Sequence, residues 1–179
     1  MATFGQVDTQ AGWQNNGGSA FLKYVNRFTL TEDGDVTKLS VYVQNVHASS
    51  IEHQIKGIIF DVSANEPNAL VGVTPGVTIL HDQAAGWVDL TFSTPAHLHA
   101  ADYCLGIFTE EGGGFLSINC AYTGISRTLI GDVLGFAAGP VTPWTQPDAH
   151  DGNNLTVYAT YTLPVVAWKG MTVTRLLRG

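Results

Sequence analysis

The chain has 179 residues, of which 45% are hydrophobic and only 13% charged, so disorder is excluded and one domain with a sizeable core is expected. The formal net charge of −7 argues against a nucleic-acid partner, because phosphate binding needs a basic surface. No apolar run is long enough to span a membrane, and the first residues, ATFGQVDTQ after Met1, lack the basic and apolar regions of a secretory signal. We therefore expect a protein that starts in the cytosol.

Short strands separated by glycine- and proline-containing turns are predicted along most of the chain. Polar residues 1–19 are predicted to form an irregular arm. The predicted strands span residues 20–30, 36–46, 55–62, 70–80, 86–92, 95–99, 103–108, 115–122 and 154–162. Pro75-Gly76 makes residues 70–80 an edge strand or two short strands. Residues 123–153 are predicted to form a long loop with one short strand near residues 129–134.

The segment YCLGIFTEEGGGFLSINCAY, residues 103–122, predicts a β-hairpin. Two apolar runs flank Glu110, Glu111 and three consecutive glycines, which reach positive φ without steric cost. A turn centred on Gly112 would place Cys104 opposite Cys120. These cysteines are then disulfide candidates if their Cα spacing is suitable, or two small buried apolar side chains in a reducing cell.

No stretch of ten or more residues shows a 3.6-residue hydrophobic period. Roughly eight to ten short strands instead predict an all-β fold, an antiparallel β-sandwich of the jelly-roll type. The expected organisation is an N-terminal arm of residues 1–19, a sandwich domain of residues 20–162 and a C-terminal docking segment of residues 163–179.

Residues that could perform catalysis or bind metal are sparse. Neither G-x-S-x-G nor H-E-x-x-H occurs, and adjacent acids in a turn are not opposed as glycosidase carboxylates are, so we expect no enzyme. His97 and His99 share one face of a predicted strand, but their sequence neighbours supply no further ligands, so we expect neither a metal nor another cofactor. Oxygen donors of the kind calcium prefers precede the last strand, although turn formation explains them equally well: Asp148, Asp151, Asn153 and Asn154.

Two sets of residues are candidates for binding. The segment VVAWKGMTVTRLLRG, residues 165–179, holds three of the eight basic residues, interleaved with apolar ones. This pattern favours docking on another protein, and a final strand of the chain's own sheet is the alternative. The docking candidates are Trp168, Lys169, Met171, Arg175, Leu176 and Arg178. Trp13 and Trp144, in predicted loops, are candidates for stacking on a glycan, whereas Trp87 lies in a predicted strand and is assigned to the core.

Five segments follow one another in an order that resembles a β-sandwich module of phage structural proteins and is similar to carbohydrate-binding-like domains. In chain order they are RFTLTEDGDVTKLSVYV, NEPNALVGV, GWVDLTF, HLHAADYCLGIF and LTVYATYT. The resemblance covers about residues 4–162. It implies a non-enzymatic bacteriophage virion protein, of the capsid decoration (cement) or head-fibre type, assembled in the host cytoplasm. Such a homo-oligomer would bind the major capsid protein or another virion protein. The alternative is a carbohydrate-binding module or a receptor-binding tail component.

Overall fold

The computed structural model describes residues 1–16, 22–45, 52–110, 116–121, 126–130, 135–144 and 154–164. Two antiparallel sheets pack against each other in this part of the chain, so the predicted all-β sandwich is confirmed. None of the described residues forms a helix long and apolar enough to cross a bilayer.

The strands are numbered in chain order and divided between two sheets. Sheet A contains β1 (Ala2–Gly5), β2 (Gly12–Asn16), β4 (Gly34–Asn45), β8 (Gly86–Leu98), β10 (Leu116–Ala121), β12 (Asn154–Leu155) and β13 (Val157–Thr162). Sheet B contains β3 (Leu22–Leu30), β5 (His53–Ser63), β6 (Glu66–Val73), β7 (Val77–Ile79), β9 (Ala101–Thr109) and β11 (Ser126–Ile130). The short helix α1 (Gly135–Ala138) follows β11.

The strand order is that of a jelly roll. Four antiparallel pairs are nested along the chain, β1 with β13, β3 with β9, β4 with β8, and β5 with β6. The central order is therefore β1-β13-β4-β8 in sheet A and β3-β9-β5-β6 in sheet B. This is the pattern produced when one long hairpin rolls up into two sheets, which leaves few exposed strand edges.

Side chains that alternate along the strands fill the space between the sheets. Leu39, Val41 and Val43 of β4 are fully buried there, as their period-two spacing predicts. Sheet B is apolar on both faces. On β5, for example, Ile59 belongs to the core between the sheets and Phe60 to a second cluster on the outer face.

The predicted hairpin over residues 103–122 is wrong. Strand β9 lies in sheet B between β3 and β5, whereas β10 lies in sheet A beside β2, β4 and β12. Alternation shows that each run buries a face, but it does not show which strand lies beside it. Cys104 and Cys120 belong to different sheets, so they are not opposite each other on paired strands. The predicted disulfide depended on that cross-strand spacing and is therefore not supported.

The N-terminal residues also differ from expectation. Instead of an irregular arm, residues 1–16 supply β1, which pairs with β13, and β2, which pairs with β10. Strand β1 is anchored by Phe4, whose ring contacts Tyr161 edge to face at a centroid distance of 6.0 Å. A single buried apolar residue in so short an edge strand does not produce a hydrophobic period that can be recognised in the sequence. Residues 70–80 are divided between two strands, the second half of β6 and the short β7, in line with one of the two predicted alternatives.

A substitution at Gly106 tests how closely the backbone of β9 approaches that of the neighbouring strand β3. A Cβ at this position would collide with the carbonyl oxygen of Tyr24 and lie 2.7 Å from Cα of Val25, both backbone atoms of the paired strand. We expect Gly106→Ala to lower the free energy of unfolding by about 3 kcal/mol or more, at the upper end of overpacking costs. Urea denaturation measures this change.

Gly86→Ala is the matched control, since the nearest atom to its added Cβ is 3.8 Å away. Its effect should stay within about 0.5 kcal/mol. Equal losses of stability in the two variants would contradict the tight backbone approach at Gly106.

Candidate functional site

Four aromatic side chains form a row on the outer face of sheet A, which we call the aromatic strip. They come from four different strands: Trp13 (β2), Tyr42 (β4), Trp87 (β8) and Tyr158 (β13). Tyr42 lies between the buried Val41 and Val43, so the period of two turns its ring outward. The same alternation applies to Tyr158, which follows Val157 and precedes Ala159, both buried.

The rings of the strip touch in sequence. Centroid distances are 5.9 Å for Trp13 and Tyr42, 5.3 Å for Tyr42 and Trp87, and 5.0 Å for Trp87 and Tyr158. Tyr42 and Trp87 are directly opposite each other across β4 and β8, which explains their contact. Trp87 is 39% exposed, and the other three side chains are half-buried. Trp87 thus presents an accessible aromatic surface supported on one side by neighbouring rings.

A charged cluster lies beside the strip on the same face. Asp89, two residues after Trp87, accepts hydrogen bonds from Lys38 Nζ and Ser40 Oγ, each at 2.5 Å. Partial burial raises the pKa of the Asp89 carboxyl, but the two hydrogen bonds and the charge of Lys38 outweigh it, so the net pKa is lowered. Asp89 is therefore ionised at neutral pH. Each of its oxygens has capacity for a further hydrogen bond from a ligand hydroxyl.

The two tryptophans predicted to stack on a glycan lie in different environments. Trp13 belongs to the aromatic strip. Trp144 is only 8% exposed, contacts Phe60 edge to face at 5.1 Å and lies under Lys23 Nζ at 4.7 Å. The structure therefore removes Trp144 from the stacking candidates. Trp87 is the reverse case: the sequence assigns it to the core, yet its side chain is exposed in the structure.

Residues 135–144 cover the outer face of sheet B. Phe136 stacks on Phe108 at 5.6 Å, and two lysines of the sheet donate hydrogen bonds to backbone carbonyls of the covering segment. Lys23 donates to Val141 at 3.2 Å and Lys56 to Phe136 at 2.5 Å. The outer face of sheet B is consequently a second core. The aromatic strip on sheet A is the accessible counterpart.

Several sequence candidates fall outside the described residues. These are the docking residues Trp168, Lys169, Met171, Arg175, Leu176 and Arg178, together with Asp148, Asp151 and Asn153. Asn154 is described, and its side-chain oxygen accepts a hydrogen bond from Asn26 at 3.1 Å. The docking segment therefore stays a prediction from composition.

His97 is exposed near the end of β8, and His99 is exposed just after it, but their surroundings differ from expectation. Asp33 and Asp35, more than sixty positions earlier, are within hydrogen-bond distance of the two imidazoles. Asp33 can therefore offer a third ligand atom beside the two imidazoles, which the sequence did not show, whereas the expectation that no metal is bound stays a prediction. The sequence does not show that these carboxylates lie beside the histidines, because that proximity depends on how two connections between the sheets are placed.

We expect Trp144→Ala to destabilise the fold by about 3–5 kcal/mol, the usual cost of deleting a buried aromatic side chain. The reason is that the Trp144 ring closes the outer core over Phe60 and Lys23. Thermal and urea unfolding measure the loss. Trp144→Phe keeps an apolar ring in place and should cost less than half as much. An unfolding midpoint unchanged by Trp144→Ala would show that this ring is not part of a core.

A scan of this sequence against protein-family models finds no match, and a search of curated proteins finds none either.

Proposed function

We propose that this chain is a non-enzymatic structural protein of a bacteriophage virion, a capsid decoration protein that binds the outer surface of the major capsid shell. The observation that carries the proposal is the jelly-roll strand order, since this architecture recurs in viral capsid domains and in lectins. This support is an analogy between folds. One fold can host unrelated functions, so the proposal needs the direct binding test below. Decoration requires attachment and stability rather than a reactive centre.

Residues 165–179 are the proposed attachment segment, on the basis of their sequence. They bring tryptophan, methionine and arginine, residue types enriched at protein interfaces, to the end of an acidic chain. A symmetric homo-oligomer would present several such segments to one capsid site. Their combined attachment would then exceed the affinity of a single segment.

Deleting residues 165–179 should abolish attachment while leaving the fold intact. All the described strands of both sheets lie within residues 1–164, so we expect the unfolding midpoint of the truncated chain to match that of the full chain. Binding is measured by sedimentation with capsids that lack the protein, followed by quantitative mass spectrometry of the pelleted particles. Full occupancy by the truncated chain would refute the role of the segment.

The aromatic strip specifically favours a second function, the binding of a glycan. Sugar rings stack their apolar faces on aromatic side chains, and nearby polar groups fix their orientation. Trp87 supplies the exposed ring, and Asp89, held by Lys38 and Ser40, supplies an ionised acceptor on the same face. A virion protein with such a face would act as a receptor-binding component, so the two functions are compatible.

Trp87→Ala should weaken glycan binding at least about tenfold, equivalent to ~1.4 kcal/mol, because it removes the most exposed ring of the strip. A glycan array identifies the ligand, and isothermal titration calorimetry gives the affinities. Leu163→Ala is the control, since Leu163 is an exposed apolar side chain, 52% accessible, beyond the end of β13. An array without hits, or equal binding by wild type and Trp87→Ala, would exclude the glycan function.

A further inference from the structure

Two connections between the sheets meet at one end of the sandwich. The chain crosses from sheet B to sheet A after β3, and it crosses back from sheet A to sheet B after β8. Because β3 pairs with β9 and β4 pairs with β8, these two connections run side by side. Asp33 lies in the first connection and His99 in the second. The topology thus brings side chains together that are far apart in sequence.

The pairing of β4 with β8 fixes the positions of the two histidines. His97 is directly opposite Asp35, and its Nδ1 lies 2.8 Å from the Asp35 Oδ1. Leu98, the next residue, is 1% exposed and packs in the core, so its neighbours on both sides point outward. His97 and His99 therefore share one face, with ring centroids 5.0 Å apart and ring planes perpendicular.

Asp33 is held beside His99 from the other connection. One Asp33 oxygen lies 2.9 Å from His99 Nδ1, and the other accepts a hydrogen bond from the backbone N–H of Ala100 at 2.8 Å. These two contacts hold the Asp33 carboxylate in place with one oxygen towards His99.

One ligand atom from each of Asp33, His97 and His99 can be chosen so that all three lie within 4.8 Å of one another. Ligands of a single zinc ion, each about 2.1 Å from the metal, lie roughly 3–4 Å apart. All three side chains are exposed, so small rotations can bring them to that spacing. Two imidazoles with one carboxylate form a donor set that suits zinc and neighbouring transition metals better than calcium or magnesium.

We propose that Asp33, His97 and His99 bind a divalent transition-metal ion of the zinc class, and that Asp35 orients the imidazole of His97. Because Nδ1 of His97 lies beside Asp35 Oδ1, Nε2 is the ring nitrogen left to bind a metal, as in other histidine ligands supported by a carboxylate. The ion would join the two connections between the sheets, and its remaining coordination positions would be filled by water or by a ligand atom of a bound molecule.

The test uses the full-length chain freed of metal with a chelator. Isothermal titration with Zn²⁺ should show one equivalent bound, and Co²⁺ should give visible absorption bands typical of histidine coordination. His97→Gln, His99→Gln and Asp33→Asn should each weaken binding at least about tenfold, and the double variant His97→Gln with His99→Gln should abolish the cobalt spectrum. Because these side chains are exposed, circular dichroism should show every variant folded.

His81→Gln is the matched control. His81 is also exposed and has a carboxylate nearby, with its Nε2 3.8 Å from Asp82, but the described residues give that pair no third ligand. This variant should bind Zn²⁺ like the wild type. Lack of binding by the wild type at millimolar Zn²⁺, unchanged binding in the double variant, or equal weakening by His81→Gln would each overturn the proposal.

Discussion

The pairing of β4 with β8 is the interaction on which the rest of the structure depends. The paired residues run from Val43 opposite Gly86 to Gly34 opposite Leu98, with a shift of register between Lys38 and Val36. The inward side of β4 supplies fully buried core residues, and the outward side places Tyr42 against Trp87 at one end and Asp35 against His97 at the other. A slip of one residue would turn the apolar side of β4 to solvent, so the burial of the core fixes the geometry of both candidate sites.

The outer faces of the two sheets are covered to different extents within the described residues. Sheet B is covered by residues 135–144, whose aromatic rings complete a second core and whose carbonyls accept hydrogen bonds from Lys23 and Lys56. Burying a lysine is costly unless its charge is satisfied, and the carbonyls and aromatic faces around Lys23 provide that compensation. On the outer face of sheet A, by contrast, the ring of Trp87 is exposed. The two outer faces therefore differ in how far the described residues cover them.

The two sites within the described residues lie in different parts of the sandwich. The aromatic strip lies on the outer face of sheet A, whereas the cluster of Asp33, His97 and His99 lies at one end of the sandwich. The two sets share no side chain, so substitutions in one set leave the residues of the other unchanged.

The amino-acid sequence by itself determined the class of fold and most of the strands, but not β1 and β2. Alternation on β4 identified Leu39, Val41 and Val43 as core, and the break at Pro75-Gly76 anticipated the division between β6 and β7. Only the tertiary structure decided which strands are neighbours, why Trp87 is exposed and Trp144 buried, and that Asp33 lies beside His99. Alternation is a local property that divides a strand into two faces. What covers each face depends on contacts between residues far apart in the chain, and those contacts are settled by packing the whole sandwich.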